Sequence, residues 1–371
     1  MIVPLAATSS SSQAPLVVAL REAVSHPPGE PRWPESGWSV LHTHGVLRWV
    51  LPASVGGDEA DAAALLAGCV DLARGCLTTA FIYSQHLAAC QRLRAAHHPT
   101  LWREWATRLS SKPLLLTVGV SHLTTSRQHL GRPAVLAVPD GPHFRLTGEI
   151  PWVTAASRAE AIVAGATLAD GRQLLALIET TQPGVRPAAA PAMVALSGSL
   201  TSAVALDAVL VSDDALIQQP VLSVMKTGSG PTAGSLTTSA LALGHTWHLL
   251  DQLVHEARQR PDVQSICDPL LAQATRLQTE LFAAARGDSP PPDDTCGRPA
   301  PGPERLRAKA NSLVLRTAQI ALAISKGSGF LESHPIGRLT REALFFLVWS
   351  CPQPVLALNL EQWLRDPEEP L

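Results

Sequence analysis

The feature that most constrains the fold is a change of hydrophobic period at two points in the chain. In residues 14–115, and again from Val221 onward, apolar residues recur at the i, i+3 and i+4 spacing of an α-helix. In residues 114–220, short β-rich runs alternate with turn signals such as Pro139-Asp140-Gly141. We therefore expect an α+β chain with three domains. Their expected bounds are residues 1–115 (helical), 116–220 (β) and 221–371 (helical).

The second helical block is predicted to contain three long helices. Their apolar periods cover residues 236–256, 265–286 and 305–326. Residues 288–303 contain too many prolines for a helix, which predicts an extended loop between the last two. In the first helical block, Asp58 is the expected N-cap of the helix that follows it.

Composition and charge exclude several classes of protein. The net charge is −2 and no basic block is present, so nucleic acid is not an expected partner. No stretch approaches the ~20 apolar residues of a membrane span, and the first residues lack the pattern of a signal peptide. The six cysteines are scattered without CxxC spacing, which is typical of reduced thiols. We expect a cytoplasmic location, with no membrane partner and no metal site.

Residues 327–349 carry a motif that points to a family. Gly327 and Gly329 stand in a glycine-rich turn, two arginines follow one helical turn apart, and an apolar run ends at Trp349. This succession resembles the closing segment of the acyl-CoA dehydrogenases. In that family the run ends in an aromatic residue and a glutamate, and the glutamate removes the α-proton of the substrate. In this sequence the register of that glutamate is occupied by Ser350.

The β block carries a second match to the same family. Residues 146–154, which include Trp152 and Thr154, resemble the family's flavin-facing strand. There the tryptophan packs on the isoalloxazine ring, and the threonine hydroxyl forms a hydrogen bond near the flavin N5. The residue types suit this role, because a flat apolar side chain stacks on a flavin and residues two apart share one face of a strand. Taken alone, the pattern also fits a buried strand aromatic.

The resemblance extends to the order of the domains. It implies an N-terminal helical domain, a central small β-barrel and a C-terminal four-helix bundle, with FAD as the cofactor. Ser121, Thr124 and Thr125 stand where the family wraps the flavin and its pyrophosphate, although an ordinary hydroxyl-rich turn fits these residues too. Gly327 and Gly329 offer backbone amides to phosphate or adenine, with a helix C-cap as the alternative.

Both positions that the family uses for its catalytic base carry a hydroxyl here. The first is Ser350 and the second, on the first long helix of the bundle, is Thr237. Neither hydroxyl can remove a proton unaided, because its pKa lies far above neutrality. His86, on a helix expected to line the acyl pocket, is a candidate substitute, as is His122. A packed, hydrogen-bonded core histidine is the alternative for each.

The resemblance implies an FAD-dependent oxidoreductase of fatty acid metabolism. The expected reaction is α,β-dehydrogenation of an acyl thioester, with hydride transfer to flavin N5. The expected partners are a CoA thioester substrate, an electron-transfer acceptor and further copies of the chain in a homodimer or homotetramer. Two alternatives stay open. One is a flavin-dependent monooxygenase or oxidase on the same fold, which needs no such glutamate, and the other is a catalytically silent flavin- or acyl-binding subunit.

Overall fold

The elements of the chain occur in three successive groups: helices, strands and helices again. This order is seen in a computed structural model that describes residues 14–23, 31–124, 126, 131–227, 236–288, 302–349 and 353–364. The predicted α+β class is confirmed. Within the described residues, no helix is both long enough and apolar enough to cross a membrane.

In the described part of the first group there are five α-helices. They are α1 Ala14–Ala23, α2 Glu35–Thr43, α3 Ala62–Gly75, α4 Leu77–Arg94 and α5 Pro99–Ser111. The cap of α3 is Asp61, whose carboxylate accepts a hydrogen bond from the Ala64 N–H at 2.7 Å. The prediction of Asp58 as the cap was wrong. Asp58 belongs to the preceding loop, because its N–H donates to the Arg48 carbonyl oxygen at 3.0 Å and its carboxylate pairs with the same arginine at 3.2 Å.

The second group, as far as its residues are described, is one mixed sheet of eight strands. They are β1 Leu116–Gly119, β2 Val135–Asp140, β3 His143–Val153, β4 Ala161–Thr167, β5 Gln173–Glu179, β6 Val185–Pro187, β7 Ser202–Ser212 and β8 Leu216–Val221. Their order is β6-β7-β3-β2-β4-β5-β8, with β1 beside β4. The pairing of β3 with β7 shifts register between Ile150 and Val153. Such an irregularity re-aims side chains, and the residues inside it are Pro151 and Trp152.

The third group contains six helices within the described residues. They are α6 Val224–Thr227, α7 Leu236–Ala257, α8 Pro261–Arg286, α9 Pro303–Ser325, α10 Pro335–Leu344 and α11 Gln353–Leu364. The three long helices predicted from the sequence correspond to α7, α8 and α9. Helix α8 begins earlier than predicted because Pro261 occupies its first position, where a fixed φ and a missing N–H are tolerated. Most of the predicted proline-rich loop, residues 289–301, lies outside the described residues.

Two clusters of buried apolar side chains hold these groups together. One fills the sheet, and the other joins the helices of both helical groups and reaches β1, β4 and β5. Helix α7 packs against α3, α8 and α9. It crosses α3 at Gly244, where a Cβ atom would lie 2.2 Å from the Val70 carbonyl oxygen, so only glycine allows this approach. Helix α4 packs against β1, which places it along the seam between helices and sheet.

Candidate active site

A cavity of about 700 Å³ lies along this seam. Its walls come from distant parts of the sequence: α4, the segments around the ends of β1 and β3, the loop before β7, the start of α7, and the closing segment after α10. The lining is mainly apolar, with a few hydroxyls and amides. A volume and lining of this kind are typical of a small-molecule or cofactor site.

One wall is a stripe along α4. Phe81, Ser84, Ala88 and Arg92 follow each other at three- and four-residue intervals and all line the cavity. At about 1.5 Å per residue, this stripe runs for roughly 16 Å. The cavity is therefore elongated along the helix. Burial lowers the pKa of Arg92 to about 10, so its guanidinium stays charged at neutral pH.

The opposite wall comes from the sheet and carries Trp152 and Thr154. Trp152 is 52% exposed, lies at the register shift of β3 and lines the cavity. Thr154 is buried and also lines the cavity. The Thr117 hydroxyl donates to the Thr154 carbonyl oxygen at 2.8 Å, and the Thr201 hydroxyl donates to the Thr154 hydroxyl at 3.3 Å. Both the backbone and the side chain of Thr154 are thus held in place.

A hydroxyl-rich turn follows β1 on the same wall. Ser121, Thr124 and Ser126 all line the cavity. The turn is closed by two hydrogen bonds to the Ser121 carbonyl oxygen, one from the Thr124 hydroxyl at 3.3 Å and one from the Ser126 N–H at 2.9 Å. The structure therefore brings Ser121 and Thr124 together with Trp152 and Thr154. Thr125, predicted in the same group, lies outside the described residues.

The closing segment after α10 covers one end of the cavity with aromatic rings. Phe345 stacks on Trp349 with 5.3 Å between ring centroids and 12° between planes, and Phe81 contacts both rings edge-on at 4.8 and 4.9 Å. The buried Arg307 donates to the Trp349 carbonyl oxygen at 3.0 Å. These contacts fix the backbone immediately before Ser350. Ser350 itself, the predicted position of the family's base, lies outside the described residues.

Thr237, the second predicted base position, lies where this cavity meets another. It lines the first cavity together with Leu87 and Gln91, and the same three residues also line a second cavity of about 640 Å³. The space beside α4 therefore continues past Thr237. The side chain available at this junction is a hydroxyl, which is not a base at neutral pH.

His86, the candidate substitute for the base, does not line either cavity. Its Nδ1 accepts a hydrogen bond from the Leu116 N–H at 3.1 Å, and its Nε2 lies 3.6 Å from the Cys90 sulfur. Burial lowers the pKa of His86 to about 4. The His86 ring therefore links α4 to β1. This is the role of a packed, hydrogen-bonded core histidine, which was the alternative to a catalytic base. His122 is also buried, with its Nε2 3.0 Å from the Gly165 carbonyl oxygen.

The described part of the cavity wall provides no conventional proton acceptor. Among its described lining residues, none has a carboxylate or an imidazole. The charged side chains on the described wall are the guanidiniums of Arg92 and Arg341. The arrangement is suited to binding a flat aromatic ring and an elongated apolar chain. It is not suited to general base catalysis by the described residues.

Gly327 and Gly329 stand apart from this cavity. They lie in a 3₁₀ turn after α9, and neither lines the cavity. A Cβ at Gly329 would lie 2.9 Å from the Ser325 Cβ, so this glycine permits close packing, whereas a Cβ at Gly327 would meet nothing within 4 Å. The C-cap of α9 is Lys326, with a φ of 52°. The structure does not bring these glycines together with Trp152.

Arg92 and Thr201 are among the lining residues that were not identified from the sequence. Arg92 carries a usable signal, because it continues the three- and four-residue spacing that begins at Phe81. Thr201 carries none. It reaches the cavity through a loop in which Leu196 and Leu200 both adopt left-handed φ angles, of 60° and 47°, and such angles are not predictable for leucine.

The chain is similar to known proteins in sequence and in fold. No family model matches the chain. The probable acyl-CoA dehydrogenase YngJ of Bacillus subtilis (strain 168) is 22% identical over 321 residues, which cover 81% of each protein. Butyryl-CoA dehydrogenase from Megasphaera elsdenii superimposes with a TM-score of 0.78 at 15% identity, over 98% of this chain and all of that one (100%).

Two further solved structures share the fold. The prolyl acyl carrier protein oxidase AnaB gives a TM-score of 0.77 at 16% identity, over 95% of this chain and 97% of that one. An acyl-CoA dehydrogenase from Bacillus anthracis, solved in complex with FAD, gives 0.73 at 14% identity, over 95% of this chain and 63% of that one. The sequence similarity and the shared fold agree with the motifs found in the sequence. The chain therefore has the fold of the acyl-CoA dehydrogenases, and its sequence is similar to that of a probable acyl-CoA dehydrogenase.

Proposed function

We propose that the chain is an FAD-dependent oxidoreductase that acts on an acyl thioester by α,β-dehydrogenation. The observation that carries this proposal is that Trp152 and Thr154 line one cavity together with α4 and the aromatic closing segment. Relatives of the same fold support it, since one is a butyryl-CoA dehydrogenase and another is a complex with FAD.

The residues of the sheet wall fit FAD. The half-exposed Trp152 indole offers a flat face of the kind on which an isoalloxazine ring stacks. Ser121, Thr124 and Ser126 offer hydroxyls for the polar edge of the ring and the pyrophosphate, and Thr125 belongs to the same proposal. Gly327 and Gly329 are proposed for the phosphate or adenine end, at a turn away from the cavity. When bound, FAD supplies the acceptor for the β-hydride of the substrate at its N5 atom.

The residues on the other side of the cavity bind and shield the substrate. The stripe on α4 offers an apolar surface about as long as an extended acyl chain, and the rings of Phe345 and Trp349 exclude water from its end near Phe81. Thr154 is the hydroxyl that we assign to flavin N5. The described wall has no carboxylate for α-proton removal, so we expect slow dehydrogenation in the natural sequence.

The absence of a carboxylate from the described wall also favours a second candidate function. A flavin-dependent oxidase or monooxygenase needs a cofactor wall and a shielded pocket but not a glutamate at the Ser350 register. The described lining matches that requirement, and one relative of the fold is an acyl carrier protein oxidase. A catalytically silent flavin- or acyl-binding subunit is the remaining alternative.

We also propose that the chain assembles as a homodimer or homotetramer and passes electrons to a separate acceptor protein in the cytoplasm. Phe330 and Leu331, next to Gly329, are 82% and 58% exposed. A second copy of the chain would remove this apolar surface from water. Size-exclusion chromatography with light scattering tests the assembly.

One experiment separates the three functions. The purified chain is loaded with FAD, made anaerobic and mixed with acyl-CoA esters of increasing chain length while the flavin absorbance is followed. Bleaching by an ester supports dehydrogenation, and an oxidised spectrum with every ester contradicts it. Rapid reoxidation by oxygen with an oxygenated product supports the second candidate. A chain that binds acyl-CoA without retaining flavin supports the silent subunit.

A further inference from the structure

We propose that Thr201 is a positioning residue that orients the Thr154 hydroxyl through a directional chain of hydroxyls beginning at Ser199. This inference rests on the proposed function, in which Thr154 donates to flavin N5. Nothing in the sequence pattern assigns a role to Ser199 or Thr201. Their role follows from where the loop before β7 places them.

The direction of the chain follows from counting protons. The Ser199 and Thr201 hydroxyl oxygens are 2.8 Å apart, and the Thr201 hydroxyl donates to the Thr154 hydroxyl oxygen at 3.3 Å. A hydroxyl has one proton to donate and two lone pairs to accept with. Because the Thr201 proton is directed at Thr154, the proton between Ser199 and Thr201 must come from Ser199. Thr154 then accepts from Thr201 and keeps its own proton for another acceptor.

Burial of the three hydroxyls strengthens the effect of Thr201 on the direction of the Thr154 proton. All three hydroxyl-bearing residues are buried, and Thr154 and Thr201 also line the cavity. A buried hydroxyl has few water molecules competing for its lone pairs, so a fixed protein donor determines where its proton points. The distance of 3.3 Å is long for an O–H···O bond. We therefore expect Thr201 to contribute less than Thr154 itself.

The backbone around these residues is an independent observation. Ala155, Leu196 and Leu200 have left-handed φ angles of 53°, 60° and 47°, which non-glycine residues rarely adopt. Ala155 follows Thr154 directly, and Leu200 precedes Thr201. The Ala155 N–H donates to the Ser199 carbonyl oxygen at 2.8 Å, so Ala155 is tied to the residue that precedes Leu200. Backbone strain held in this way is typical of functional sites.

The chain also offers a matched control. The Thr117 hydroxyl donates to the carbonyl oxygen of Thr154 at 2.8 Å and not to its hydroxyl. Thr117→Val therefore removes a buried threonine hydroxyl from the same neighbour without removing the donor to the Thr154 side chain. Thr201→Ser is the second control, because it keeps the hydroxyl and loses a methyl group.

The test is the two-electron midpoint potential of bound FAD, measured together with the FAD dissociation constant. A proton donated to N5 favours electron uptake, so Thr154→Val is expected to lower the equilibrium constant for reduction about tenfold, or about 30 mV. Thr201→Val is expected to lower it about fivefold, or about 20 mV. The double variant is expected to match Thr154→Val alone. Thr117→Val and Thr201→Ser are expected to keep the wild-type potential.

The possible outcomes distinguish this inference from the function on which it rests. An unchanged potential in Thr201→Val, or additive shifts in the double variant, would overturn the inference and leave the flavoprotein assignment standing. Failure of the wild-type chain to bind FAD would overturn both. If Thr201→Val does not fold, Ser199→Ala replaces it, with an expected shift of about threefold, or about 14 mV. An unchanged potential in Ser199→Ala would then overturn the inference.

Discussion

The two walls of the cavity differ in the functional groups that line them. The sheet wall has an open indole at Trp152, a held hydroxyl at Thr154 and a turn of further hydroxyls. The helical wall and the closing segment offer aromatic and apolar surface, and their described lining residues include no carboxylate or imidazole. In the proposed function, the groups that hold the cofactor and the group that would deprotonate the substrate therefore belong to different walls. The sheet wall has the indole and hydroxyls that a flavin would need, whereas the described residues of the helical wall include no base.

The largest effect is expected from giving the substrate side a base. Ser350→Glu places a carboxylate directly after Trp349, whose backbone is fixed by Arg307. A positioned general base contributes about 10²–10⁴-fold, so we expect acyl-CoA dehydrogenation to rise at least ~100-fold. Ser350→Gln is the matched control, since it has the same size and cannot accept the proton. Equal rates in the two variants would contradict the proposed register.

The next largest effect is expected on the cofactor side. Trp152→Ala removes the indole that we assign to the isoalloxazine ring. Loss of one aromatic stacking partner costs about 2 kcal/mol, which raises the dissociation constant of FAD about 30-fold. Trp152→Phe keeps a ring and is expected to lose only part of this affinity. Fluorescence titration with FAD measures both, and an unchanged dissociation constant in Trp152→Ala would rule out the assigned stacking.

A smaller effect is expected at the second base position. Thr237→Glu puts a carboxylate at the junction of the two cavities and not beside the aromatic closing segment. We expect a gain in dehydrogenation of about tenfold, below the range of a well-positioned base. Thr237→Gln is the control. A gain larger than that of Ser350→Glu would show that Thr237 lies nearer the α-carbon of the substrate.

The smallest effect on activity is expected at His86. His86→Gln retains an acceptor for the Leu116 N–H, and we expect dehydrogenation to change by less than about twofold because a ring outside the cavity removes no substrate proton. A loss of tenfold or more with an unchanged fold would instead indicate a role in proton transfer.

We also expect His86→Gln to change how the free energy of unfolding depends on pH. Burial lowers the pKa of His86 from 6.5 to about 4 in the folded chain. Between these values the unfolded chain binds a proton that the folded chain does not, so the free energy of unfolding decreases as the pH falls through this window. At about 1.4 kcal/mol per pKa unit, His86→Gln is expected to remove roughly 1–3 kcal/mol of that decrease. Chemical denaturation at pH 7 and at pH 4.5 measures it.

The fold class and the spans of the long helices were largely predictable from the sequence because both depend on the hydrophobic period. Helices α7 and α9 follow the predicted spans closely, and the α+β class follows from the change of period at the ends of the sheet. The N-cap of α3 was missed by three residues, since both Asp58 and Asp61 are suitable caps and the loop between Arg48 and Asp61 selects the second.

The site was only partly predictable, and the reason is tertiary. Trp152 and Thr154 were found because they lie in a strand motif. Their environment was not, because the exposure of Trp152 depends on a register shift with β7, which a local sequence pattern does not encode. Thr201 was missed because left-handed leucines bring it to the cavity. His86 was considered as a base because the sequence does not show that the Leu116 N–H occupies its Nδ1.

We propose that the sheet wall is a working flavin site although the described residues of the helical wall include no base. A crystal structure of the chain with FAD tests it most directly. We expect to find the isoalloxazine ring against the Trp152 indole, with N5 within hydrogen-bonding distance of the Thr154 hydroxyl. A cavity that takes no flavin, or a flavin bound away from Trp152, would contradict it.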